Sequence, residues 1–251
     1  MADDAFGRMA GYAWVLKENA LGQETRARDA FPMTRRTWLG LAVDRGAAGV
    51  SEANRHIMEV YAQPLKVYYL GSTFRTLGEP DDVVQGFFAD RLGRDDFLER
   101  WLESGRPLRY WLIVGFKHFL FERSREIKRS RRAGPLPEES MGGDDGPEAS
   151  FHREAALAIA ADAMRSAHEE CDRRGQTGHW EIFQRHYVDG LPYEAVGEEF
   201  GVTARRAAVM SRTAANRYRA ALRELVAWRG ADTTEVDREI HALLETLSHG
   251  G

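Results

Sequence analysis

Asp81 and Asp82 are the nearest this 251-residue chain comes to a paired-carboxylate site. Two carboxylates share a proton or a metal only if they face each other, and neighbours on a helix diverge by about 100°. The pair therefore reads as the acidic first turn of a helix, where negative charge suits the helix dipole. His168, Cys171, His179 and His186 carry metal-ligand atoms, but their spacing matches no standard zinc finger, and histidines scattered over helix surfaces are the plainer account. Recognition chemistry is better supported. Arg205, Val209, Arg212, Asn216, Arg219 and Arg223 recur on one side of a helical pattern. Arginine grips guanine edges and asparagine adenine edges in the major groove, which admits a helix, and arginines further along such a helix meet phosphate. An arginine-rich face turned to solvent is the alternative.

The elements around this stripe favour duplex DNA. Tyr193 to Phe200 places Val196 and Phe200 on one helical face, and Gly197 is small enough to let a second helix cross closely. Gly201 supplies the turn, because glycine reaches left-handed backbone angles without a Cβ clash. Thr203 follows as an N-cap, a role worth about 0.5–2 kcal/mol. Opposite the cationic stripe, Ala207, Ser211, Ala214, Tyr218, Leu222 and Leu225 fall at spacings of three and four, an apolar seam for the first helix. Turn, cap and one-sided charge together predict a helix-turn-helix.

A second stretch, Leu108 to Arg132, sets aromatics beside cations. Single-stranded nucleic acid needs that mixture, since bases stack on rings while nearby charge neutralises the backbone. Most of its apolar side chains are needed for a core. One or two of Tyr110, Trp111 and His118 are expected to meet a base, and the basic tail to meet phosphates.

The formal net charge of -4 conceals segregation, with basic runs at Arg123 to Arg132 and Arg205 to Arg229, so the acidic total does not exclude nucleic acid. The single cysteine, Cys171, fits a reducing compartment. No apolar run approaches the roughly 20 residues of a membrane span, and no signal-peptide core opens the chain, so a cytoplasmic protein without membrane contact is expected.

The remaining pattern is helical. Phe6, Met9, Ala10, Ala13, Trp14 and Lys17 suggest an amphipathic N-terminal helix. Thr34 to Leu70 carries two apolar faces separated by Gly46 and Gly49, with Pro64 expected to kink the second. Helices follow over Asp81 to Leu92 and around Asp95 to Glu103. Residues 134–150 combine three prolines, five carboxylates and no basic residue, the composition of a flexible acidic linker. Helical spacing resumes from Phe151 to Arg174, and a turn leads to Trp180, Phe183 and Tyr187. Val236, Ile240, Leu243, Leu244 and Leu247 suggest one more amphipathic helix in the tail.

In this order the segments resemble the extracytoplasmic-function group of bacterial RNA polymerase sigma factors, over roughly Phe31 to Leu225. PLKVYYL with PDDVVQGFFADRL is similar to that family's paired helices, GRPLRYWLIVGFKHFLFERSR to its promoter-melting helix, and WEIFQRHYVDGLPYEAVGEEFGVTARRAAVMSRTAANRYRAAL to its C-terminal helix-turn-helix. The resemblance implies an all-α fold of two helical domains, a sigma region-2-like bundle (31–133) and a helix-turn-helix domain (151–228), joined by the linker, with extensions at 1–30 and 229–251. It implies Asp82, Gln85, Phe88 and Arg91 at the polymerase clamp. Arg109, Tyr110, Trp111, Lys117, His118, Arg123 and Arg125 would meet the melted promoter element, and Thr203, Arg205, Arg206, Val209, Arg212 and Asn216 the upstream element as duplex. Core RNA polymerase and promoter DNA are then the partners, with an anti-sigma factor or other regulator as antagonist. No cofactor, metal or chemistry of the chain's own is implied. The rival is a ligand-responsive helix-turn-helix repressor or activator, which predicts palindromic sites, a stable dimer and no affinity for core polymerase.

Overall fold

The computed structural model describes residues 38–94, 96–131, 146–227 and 231–248. Every regular element among them is helical: α1 (Trp38–Asp44), α2 (Ala47–Gly71), α3 (Pro80–Arg91), α4 (Phe97–Ser104), α5 (Leu108–Arg131), α6 (Pro147–Arg173), α7 (Thr177–Tyr187), α8 (Tyr193–Phe200), α9 (Ala204–Val226) and α10 (Thr233–Ser248). None of these helices is long and apolar enough to cross a membrane. The amphipathic segment from Phe6 to Lys17, most of the acidic linker, and the side chains of Lys128, Arg131 and Arg132 lie outside the described residues.

The described residues divide into two compact units. The first takes in those up to Ala158 together with Val226–Glu239; the second takes in Ile159–Leu225 and those from Ile240 onward. The division falls inside α6, at the last residue of α9 and inside α10.

The first unit is built on aromatic packing. Phe87 of α3 meets Phe116 and Phe119 of α5 edge-on, with ring centroids 5.1 and 5.8 Å apart, and Tyr68 of α2 reaches Phe116. Tyr69 donates its hydroxyl to Gly78 O at 2.7 Å, and Trp101 donates Nε1 to Arg106 O at 2.9 Å, so both buried aromatics satisfy their polar atoms. Pro64 sits buried within α2, which runs from Ala47 to Gly71. One backbone expectation changes. Gly46, with φ +76°, makes the break alone. Gly49 lies inside α2, where a Cβ would stand 1.8 Å from Ala42 O, so it is glycine for close approach and not for a turn.

In the second unit Ile182 of α7, Val196 of α8 and Ala207 of α9 form a buried centre, with Leu191, Tyr193, Phe200, Val202 and Met210 around it. Phe183 and Tyr218 extend it, with ring centroids 6.5 Å apart. Three of the four histidine and cysteine positions pack locally. His168 stacks on Trp180, His186 stacks on Tyr193, and Cys171 is buried.

Candidate nucleic-acid interface

The α8–α9 connection has the geometry the residue types predict. Gly201 adopts φ 64°, ψ 31° and redirects the chain within three residues. The Arg206 amide donates to Thr203 Oγ1 at 3.2 Å, capping α9. Gly197 is buried, and Val202 N donates to Gly197 O at 2.9 Å, so the turn folds back directly over α8.

α9 then separates its faces. Ala207, Ser211, Ala214, Tyr218 and Leu222 are all buried. Thr203, Arg205, Arg206, Arg212 and Asn216 are exposed on the other side, and Val209 stands 48% exposed among them. An apolar side chain left in water between cations suits contact with a thymine methyl. Further along, Arg219 is half-buried, and burial lowers its pKa. It donates Nη1 to Asn216 Oδ1 at 2.7 Å, which orients the amide.

The first unit keeps only part of the expected α5 surface. Tyr110 and His118 are exposed, two turns apart on one face, with Val114 between them; Arg125 is exposed as well. Trp111 is half-buried with its ring 5.8 Å from that of Phe97, so it belongs to the core edge. Arg123 is half-buried and packs over Gly78 and Gly86. Lys117 pairs with Glu148 at 3.1 Å. Arg109 requires a correction, because it is only 3% exposed and cannot meet a strand where it stands. Its guanidinium takes Glu239 of α10 side-on, Nε to Oε1 at 2.5 Å and Nη2 to Oε2 at 3.3 Å, and also donates to the Tyr110 hydroxyl at 2.8 Å.

At the expected clamp surface Asp82 and Gln85 are exposed. Phe88 is corrected to the core, at 3% exposure with its ring 5.5 Å from that of Phe87. The apolar stripe of α3 is wide, with Val83, Val84, Phe87 and Phe88 all buried, and it takes in this position. Arg91 is mostly covered and pairs with Asp90 and Glu122.

Two functional features escape a reading by periodicity. α6 starts at Pro147, so 147–150 belong to a helix and not to the linker; proline at the first helical position and Glu148 beside it are the available signal. α10 opens on a capping box, Asp232 N donating to Glu235 Oε2 and Glu235 N to Asp232 Oδ1, each at 2.8 Å. The spacing Asp-Thr-Thr-Glu carries that signal, and it fixes where Glu239 falls.

His152 of α6 sits beside this ion pair, its ring 5.0 Å from that of Tyr110 and its Nδ1 3.5 Å from Arg109 Nη1. Burial, reinforced by the Arg109 charge, pushes its pKa down to about 4. The unfolded chain takes up this proton near pH 6.5, well before the folded one. Stability contributed here is therefore present above pH 6.5 and falls as pH drops towards 4, by about 2 kcal/mol after discounting the ring's remaining solvent contact. His152→Phe is expected to flatten urea midpoints between pH 7 and 4.5 by that amount. An unaltered slope would mean that the ring titrates normally.

No family model, curated protein or solved structure matches the chain.

Proposed function

We propose that this chain is a sigma factor of the extracytoplasmic-function kind. It directs core RNA polymerase to a restricted set of promoters, reading an upstream element as duplex through α9 and a melted element through α5, and leaves bond-making to the polymerase. The observation that carries the reading is the exposed row Arg205, Arg206, Val209, Arg212 and Asn216, on a helix delivered by a left-handed glycine turn and a threonine cap. Base edges give such a row its sequence choice, and phosphate neutralisation gives most of its affinity.

Extending the reading from duplex binder to sigma factor rests on the order of the motifs, with an aromatic and basic α5 ahead of the helix-turn-helix. Exposed Asp82 and Gln85 are the polar groups on α3 suited to the polymerase clamp, with Phe88 supporting them from below. An anti-sigma factor or other regulator would compete for one of these surfaces.

Co-purification of the full chain with core polymerase, followed by run-off transcription, tests the proposal. A repressor would instead dimerise, select palindromes and ignore the polymerase. Within the complex, Arg212→Ala is expected to weaken duplex binding by about 1–3 kcal/mol and to relax selectivity at one base pair. A uniform fall on every sequence, with the salt slope reduced by about one, would reassign Arg212 to phosphate. Unchanged affinity would remove it from the interface.

A further inference from the structure

Later segments of the chain place carboxylates on the α5 cations. Of the three charged side chains buried among the described residues, Arg109, Asp162 and Glu239, two face each other. Glu239 reaches Arg109 from 130 residues downstream. Glu148, in the first turn of α6, takes Lys117 Nζ at 3.1 Å, and His152 one turn on lies against Tyr110. Three of the seven α5 residues expected at single-stranded DNA are therefore engaged by α6 or α10. Val114 and His118 continue the same face and stay exposed.

A carboxylate and a phosphodiester present a guanidinium with the same pair of oxygens, so one excludes the other. A buried ion pair is also a weak source of stability compared with an apolar contact of the same volume. In this unit the described residues of α10 that are buried are Val236 and Glu239, the second of them held by its ion pair. We propose that the start of α10, with the first turn of α6, is an intramolecular antagonist of α5: Glu239 and Glu148 occupy Arg109 and Lys117 in place of phosphate, and single-stranded DNA must displace them. The proposal rests on α5 being a nucleic-acid surface.

The test uses the full chain, its Glu148→Gln and Glu239→Gln variants, and a fluorescent single-stranded DNA of mixed sequence. Anisotropy reads binding, and amide exchange of residues 233–239 reads the latch. Glu239→Gln is expected to bind about tenfold tighter than wild type, and Glu148→Gln, whose ion pair is half in solvent, about threefold. Saturating the wild type with the oligonucleotide should speed exchange at the start of α10. Should Glu239→Gln lose its helical circular dichroism, Glu148→Gln and the wild-type exchange still decide. Equal binding by all forms, with α10 protection indifferent to DNA, overturns the latch and leaves the α5 reading standing. If α10 loosens in Glu239→Gln but no form binds the oligonucleotide, with or without core polymerase, the α5 reading fails and the latch falls with it.

Discussion

Cutting Arg109 back to alanine is expected to destabilise the unit that holds it by about 3–5 kcal/mol, the cost of leaving one member of a buried ion pair without its partner. The Glu239 carboxylate would remain in a site lined by Tyr61, whose own hydroxyl is so deeply buried that its pKa is raised well above the usual phenol range. Glu239 regains water if α10 lets go, so the loss should register as faster amide exchange at the start of α10 as well as in a lower urea midpoint. Pairing Arg109→Met with Glu239→Leu removes both charges and should bring stability back to within about 1 kcal/mol of wild type. An Arg109→Ala chain as stable as wild type, with α10 still protected, would show that water already reaches the pair.

That pair also shows where reading the sequence stops. Helices are legible because apolar residues recur at three and four, and the turn between α8 and α9 because Gly201 can adopt a left-handed backbone and Thr203, two residues on, can cap the next helix. The buried seam from Ala207 to Leu222 falls on the side its spacing predicts. Arg109 stands in the sequence as a cation beside aromatics, which reads as a nucleic-acid contact; its partner lies 130 residues away, and periodicity carries no information across that distance. Phe88 fits both a core stripe and a docking surface by residue type and spacing, and burial settles it in favour of the core. Pro147 and Glu148 carry the composition of a linker and the positional signature of a helix start, and the signature prevails.

Gly197→Ala is expected to cost about 3 kcal/mol and, with it, most duplex binding. A Cβ there would stand 2.7 Å from Val202 O, 3.2 Å from Ala204 N and 3.3 Å from Thr203 C. All three are backbone atoms of the turn, so no rotamer change relieves the overlap; the turn itself must open, at the upper end of the usual overpacking range. Opening it displaces the Thr203 cap and the first turn of α9, where Arg205 and Arg206 stand, so affinity should fall even for the fraction that stays folded. Gly201→Ala is the control. Nothing lies within 4 Å of its Cβ, and the penalty is the left-handed backbone alone, φ +64°, worth about 1 kcal/mol. Gly201→Ala should therefore melt slightly earlier yet bind duplex nearly as wild type does at a temperature where both are folded. Thermal melts and duplex anisotropy on the two variants separate a helix-turn-helix held by close backbone approach from one held by turn conformation. Equal losses from both would show that α9 is not seated on Gly197.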